Sequence, residues 1–247
     1  MDQLGLAARL VGYASRARYV FRGNFVFQGI SFEGVRVLEV GAGTGAWAIW
    51  AALHGASKVV GIEPEAAGSS KDILAIFRQN VEKLKLQERV EAKSCCFQDL
   101  ALSDGPFDVV IMYNVINHLD EDAVVNLHKD KNAFQRYVTL LRKLRLHVHS
   151  SGWVVVADSG RDNIWPQLGL DSPFARSIEW QKHQNPRRWI EVFRESGFRN
   201  FDMRWSPLQP FPRVTGNWLV EYLTCSHFVL RVRPEGRPIL NDSQQIP

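Results

Sequence analysis

Residues 35–46 read VRVLEVGAGTGA, and the succession of residue types in this stretch decides the fold. Val35–Val40 is a short apolar run with β-branched residues, the composition of a buried strand. The turn after it, Gly41 to Gly45, alternates glycine with small residues. Glycine takes positive φ at no steric cost and lets a ligand come close to the backbone. AWAIWAALHGA (46–56) then reads as a helix ending near Gly55. Strand, glycine turn and helix together aim the free N–H groups of a helix N-terminus at a negatively charged group. The next strand, KVVGI (58–62), ends at Glu63, whose carboxylate can accept both ribose hydroxyls of a nucleoside. In a doubly wound sheet both features lie at the carboxyl edge, where ligands bind. GAGTGA (41–46) also satisfies the dinucleotide fingerprint, so the turn by itself leaves the cofactor open.

Working outward, residues 70–86 have helical spacing at Ile73, Ile76, Phe77, Asn80, Val81 and Leu84. Val90–Ser94 reads as a short strand, DVVIMY (108–113) as a buried strand, and 121–147 as helix with a break in its middle. WVVVA (153–157) is another buried strand, closed by Asp158. Ahead of this core, MDQLGLAARLVGYASRARYV (1–20) reads as one amphipathic helix with Leu4, Leu6, Leu10 and Val11 on one side. Strands alternating with helices imply a parallel sheet covered on both faces. Beyond 160 the pattern changes. Residues 161–185 are irregular and rich in Trp, Pro and Asn. Arg187–Ser196 is a helix stopped by Gly197, 199–205 a strand, PLQPFPR (207–213) a loop and His227–Val232 the final strand. The expected layout is one domain over 1–247. It has a helical lid (1–30), a cofactor-binding core (31–160), an acceptor-side cap with the last strands (161–233) and a tail (234–247).

Composition narrows the class. The 247 residues suffice for a large core, and 45% hydrophobic with 23% charged residues excludes a disordered or collagen-like chain. Three cysteines, with Cys95 and Cys96 adjacent, make neither a disulfide framework nor a zinc site. Unpaired thiols fit a reducing compartment. No apolar run reaches membrane-spanning length, and the N-terminus lacks the apolar block of a secretory signal. These features together predict a cytoplasmic protein. The net charge of +4 is uneven, −3 over residues 1–130 and +7 over 131–247. Scattered arginines of this kind read as a solvated basic surface more readily than as a nucleic-acid footprint.

LEVGAGTG (38–45), the acid at Glu63, FDVV (107–110) and the late helix–strand–loop–strand order resemble the class I S-adenosylmethionine-dependent methyltransferases. The likeness covers residues 30–160 by motif and 185–233 by element order. It implies an α/β fold, a doubly wound, mostly parallel seven-stranded sheet with helices on both faces and an antiparallel last strand. It also implies S-adenosylmethionine as cofactor and S-adenosylhomocysteine as product. By similarity, Gly41, Ala42, Gly43 and Gly45 approach the methionine part and Glu63 holds the ribose. Glu39 matches an acid that orients the loop or the cofactor's amino group, and the Asn114 backbone faces the methionine moiety. Cys96 stands where many relatives carry an aspartate against the adenine amino group. Asp99 could substitute for it, and Phe97 could cover the adenine face.

A hydroxyl acceptor needs a base, and histidine titrates near working pH. His118, four residues after Asn114, is the first candidate base, although a first-turn structural role fits it as well. His183, in IEWQKHQNPRRW (178–189), is the second. His227 reads as a strand-end residue. Asp158, Asn163, Trp180 and His183 are the expected acceptor contacts, within a pocket built from 161–185 and the loop 206–213. A divalent metal is not expected, since too few oxygen ligands can be assigned. Trp47 and Trp50 read as packing; Arg16, Arg18, Tyr19 and Arg22 read first as an exposed helix face and, as the alternative, as contacts to the cofactor's carboxylate. The amino-adenine signature (Asp/Asn-Pro-Pro-aromatic) and the Pro-Cys nucleophile are both absent, which argues against nucleic acid. The expectation is therefore O-methylation of a small metabolite such as a sugar, polyketide or phenol. An RNA, DNA or protein methyltransferase using the basic C-terminal half is the alternative.

Overall fold

The computed structural model describes residues 2–64, 72–176, 178–207 and 216–235. Strand β1 (Arg36–Val40) shows how the sequence builds the layers. Its side chains alternate between the sheet faces. Leu38 and Val40 enter one core cluster and Val37 the other. The last four of its residues are buried because helices cover both faces.

The other strands are β2 (Lys58–Ile62), β3 (Val90–Lys93), β4 (Phe107–Tyr113), β5 (Val148–Ser159), β6 (Phe198–Trp205) and β7 (His227–Pro234). Among the described residues they form a seven-stranded sheet of order β3-β2-β1-β4-β5-β7-β6. β1 to β5 pair in parallel, and β7 runs antiparallel to both β5 and β6. The expected doubly wound sheet with an antiparallel last strand is thus present. Strand order reverses between β1 and β4, so a crevice opens there at the carboxyl edge, the position at which such sheets bind ligands.

Helices α1 (Gln3–Leu10), α2 (Arg16–Val26), α3 (Ala46–Leu53) and α4 (Ile73–Lys83) cover one face. Helices α5 (Glu121–Asn126) and α6 (Lys131–His147) cover the other. After the short α7 (Ile164–Gln167), α8 (Pro186–Glu195) joins that second layer, and α9 (Trp218–Leu223) precedes β7.

Three details differ from the sequence reading. The N-terminal stretch is two helices, not one: Gly12 takes φ +87 and Ser15 caps α2 by accepting the Arg18 N–H. The break expected in the 121–147 helix is present at 127–130, where Asp130 caps α6. There Arg136 clasps Asp120 with two bonds of 2.7 and 2.6 Å. β5 is longer than WVVVA. α9 was not foreseen, its six residues being too few for a periodic signal. The loop segment 208–213 and all but the first two residues of the expected tail lie outside the described residues.

The N-terminal helices are tied to the core by polar contacts as well as by packing. Tyr19 on α2 donates its hydroxyl to the Ala46 carbonyl at 2.6 Å. Asn80 on α4 donates from one amide nitrogen to both the Leu10 carbonyl (3.3 Å) and the Thr44 carbonyl (3.0 Å).

Candidate active site

The glycine turn divides its labour. All three glycines have positive φ: Gly41 +66, Gly43 +52 and Gly45 +84. A Cβ on Gly41 would stand 2.4 Å from Val115, and one on Gly45 2.1 Å from Phe77. These two are demanded by packing. A Cβ on Gly43 would meet nothing within 4 Å, so Gly43 is where a ligand can reach the backbone. Ala42 is buried, its N–H donated to the Ile62 carbonyl at 3.0 Å.

Glu39 follows from strand period. It shares the face of Val37 and so lies beneath the start of α3. Its carboxylate accepts the N–H groups of Trp47 (3.3 Å) and Ala48 (2.6 Å). The group at this helix N-terminus is therefore the chain's own Glu39 side chain, which corrects the expectation of free N–H groups aimed at a ligand. Burial pushes its pKa up to about 8, against the pull of those two N–H bonds. Glu63, at the end of β2, accepts the Gly43 N–H at 2.8 Å. Glu63 and the open glycine are thus held by one bond. Across the crevice Asn114 sits at φ +53, a conformation asparagine tolerates. It is exposed and donates its N–H to the Ala157 carbonyl at 2.7 Å.

The adenine-side expectations divide. Cys96 is half-buried and Asp99 exposed, at either end of a single 3-10 turn. Phe97, 2% exposed, packs into the core edge-on to His147 at 6.0 Å. It is not available to cover an adenine, because the turn points it inward.

A second group of residues gathers at the ends of β4, β5 and β7. Asp158, the next-to-last residue of β5, is buried and accepts the Ser159 N–H at 2.7 Å. His183 Nδ1 approaches the same Asp158 oxygen to 3.2 Å without hydrogen-bond alignment, and Asp158 Oδ2 is buried without a partner. Gln184 anchors this segment by donating to the Val124 carbonyl at 2.6 Å. The Trp180 ring lies 6.5 Å from that of His183. Lys182 bridges Glu121 (2.9 Å) and Glu179 (2.8 Å).

His118 lies at the surface. Its side chain is 46% exposed and its Nδ1 pairs with Glu121 at 2.7 Å, the same residue that Lys182 bonds beside His183, so of the two candidate bases only His183 is largely buried. Asn163 stands apart as a correction. It is fully buried, donating to the Thr224 carbonyl (2.9 Å) and Ser226 Oγ (3.0 Å) and accepting the Trp165 N–H. Its amide is used in holding α7 to the chain before β7, and no acceptor contact is left to it.

Several residues of this edge were missed or discounted in sequence. Tyr113, which ends the aliphatic run DVVIMY, has its ring 5.1 Å from Trp47 and 5.7 Å from His227, and lies beside Tyr13. His227 does begin a strand, but it is buried. Its Nδ1 lies 2.7 Å from Ser206 Oγ, and its Nε2 is unpartnered. Burial first, then Arg22 and His183, hold its pKa well below the ordinary histidine value. Glu221 accepts the His227 N–H at 2.9 Å, and burial raises its pKa to about 7. A tyrosine closing a buried strand and a glutamate inside WLVEYL were the available signals. Trp47 and Trp50 are buried in an aromatic cluster, as their packing reading expected. Arg22 is not on an exposed face: its Nη1 is buried.

Among the described residues no three His, Cys, Asp or Glu side chains gather as a metal site. None of their helices is long and apolar enough to cross a membrane. Much of the basic half is internally engaged, as in Arg231 with Asp202, Arg188 with Glu191 and Arg199 with Glu235.

Known proteins share the fold. A family profile described as a methyltransferase domain matches residues 13–202. The ribosomal RNA large subunit methyltransferase E of Oleidesulfovibrio alaskensis is 32% identical over 116 residues, 44% of this chain and 50% of that protein. The chain thus spans about half the length of this curated relative. Two solved structures share the fold. The geranyl diphosphate C-methyltransferase of Streptomyces coelicolor A3(2) has TM-score 0.62 and 12% identity over 92% of this chain and 81% of its own. An S-adenosylmethionine-dependent methyltransferase of Mesorhizobium loti has TM-score 0.59 and 16% identity over 91% of this chain and 99% of its own. With the profile spanning most of the chain, this protein belongs to the methyltransferase-domain family, and its sheet has the class I, Rossmann-like methyltransferase fold.

Proposed function

We propose that this methyltransferase acts on a hydroxyl group of a small molecule, with His183 as the base and Asp158 as the residue that orients it. The observation that carries the reading is the buried Asp158–His183 pair at the carboxyl edge, 3.2 Å apart. Nδ1 faces the carboxylate, which leaves Nε2 for the acceptor's proton. Catalytic contacts of this kind commonly align only once substrate is seated. The open Cβ position at Gly43 and the Glu63 carboxylate bonded to it fit the cofactor's nucleoside and methionine parts. S-adenosylmethionine, when bound, supplies an electrophilic methyl group on sulfur. The chain's share is to hold the acceptor in line and accept its proton, and such positioning can reach effective molarities on the order of 10⁵ M.

A second reading is favoured by one observation, the 32% identical relative named for ribosomal RNA. Both are tested by incubating the protein with methyl-labelled S-adenosylmethionine and, in parallel, a panel of phenols and sugars or ribosomal RNA. Label in an ether product, lost in His183→Ala, supports the first reading. Label in RNA alone replaces it.

A further inference from the structure

Beneath the N-terminal helices a cavity of about 450 Å³ opens, lined by Gly12, Tyr13, Ala14, Arg18, Arg22 and Pro207 among others. No carboxylate lines it among the described residues. Arg22 Nη1 is buried without a hydrogen-bond partner, and its guanidinium makes no ion pair within 4 Å among the described residues. A buried guanidinium nitrogen without a partner is costly, and the planar fork of the half-buried Arg22 matches a carboxylate or phosphate. The groups in its field are Tyr13, Tyr113, Glu221, Cys225 and His227. The carboxyl among them, Glu221, already accepts the His227 N–H, and burial favours its neutral form. Tyr13 and Tyr113 stay protonated, since burial raises both pKa values, so they offer hydroxyl donors.

Topology separates this spot from the ribose end of the cofactor. Tyr113 ends β4, and Glu221 and His227 lead into β7, whereas Glu63 ends β2, on the other side of β1. We propose that the methyl acceptor carries an anionic group, a carboxylate in the simplest case, that Arg22 and Tyr13 bind in this cavity with Arg18 at its exposed mouth. The inference rests on the small-molecule reading above and names the acceptor's class.

The test is a binding titration of the protein saturated with S-adenosylhomocysteine, using benzoate and its neutral analogue benzamide as probes. Benzoate should bind about tenfold or more tightly than benzamide, as expected of a charged Arg–carboxylate contact. Arg22→Gln should abolish that preference, Arg22→Lys should retain part of it, and both variants should keep S-adenosylhomocysteine affinity within about threefold of wild type. Equal binding of the two probes by the wild type, or binding of neither, overturns the proposal. So does a loss of about tenfold or more in S-adenosylhomocysteine affinity in Arg22→Gln, which would assign the guanidinium to the cofactor's own carboxylate. The readout is independent of turnover. A benzoate preference without any methylated hydroxyl would sink the O-methylation reading alone, and methylated neutral phenols without that preference would sink only the anion site.

Discussion

The two ends of the carboxyl edge are built in different ways. At the β1–β2 end, Glu39, the glycine turn and Glu63 come from 25 consecutive residues, and the side-chain bonds of Glu39 to α3 and of Glu63 to Gly43 are made within that stretch. At the β4–β5–β7 end, Tyr13, Arg22, Tyr113, Asp158, His183, Glu221 and His227 are drawn from the whole length of the chain. The first end is set by local chain geometry, which a shared cofactor can impose on many sequences. The second is set by tertiary assembly, so its side chains are free to differ with the acceptor.

Substitutions can break or sharpen this contrast. The largest expected effect is at the assembled end. His183→Ala should lower kcat by about 10²–10³ with S-adenosylhomocysteine affinity unchanged by calorimetry, the loss typical of a general base. At the local end, Gly45→Ala should destabilise the protein by about 3 kcal/mol in denaturant melts, since its Cβ would overlap Phe77 at positive φ. Gly43→Ala meets no atom and should cost only about 1–2 kcal/mol, the conformational penalty alone. Equal effects from these two variants would show that the turn is not divided between packing and ligand approach. Glu63→Ala should weaken S-adenosylhomocysteine by about tenfold or more, because a charged hydrogen-bond acceptor is removed.

A smaller effect concerns pH. Folding raises the Glu39 pKa from 4.5 to about 8, so its contribution to stability is full below pH 4.5 and is lost as pH rises to about 8. Glu221 acts in the same direction up to about pH 7. Glu39→Gln should therefore flatten, though not abolish, the fall in Tm across that window. The smallest effect belongs to His118→Ala, which should reduce turnover less than about threefold, since its partner lies in a solvent-exposed pair. A 100-fold loss there would move the base to the surface and undo the ranking of the two histidines.

What the sequence made legible follows the same divide. β2 runs over KVVGI as read, and the strand–turn–helix of 36–53 is in place, because apolar period and glycine punctuation act over a few residues. Phe97 and Asn163 were placed wrongly for a physical reason. Motif position gives the backbone location, but the inward rotation of Phe97 and the amide bonds of Asn163 depend on His147, Thr224 and Ser226, which are distant in sequence. His227 was legible as a strand start and illegible as a buried group, since nothing local tells that β7 is inserted between β5 and β6.

The single amide of Asn80 holds the Leu10 and Thr44 carbonyls together. The end of the first helix and the glycine turn therefore share one anchor atom. Any displacement of that helix would strip a bond from the same nitrogen that steadies the turn, so a change at residues 10–13 would be felt at Thr44 without touching it.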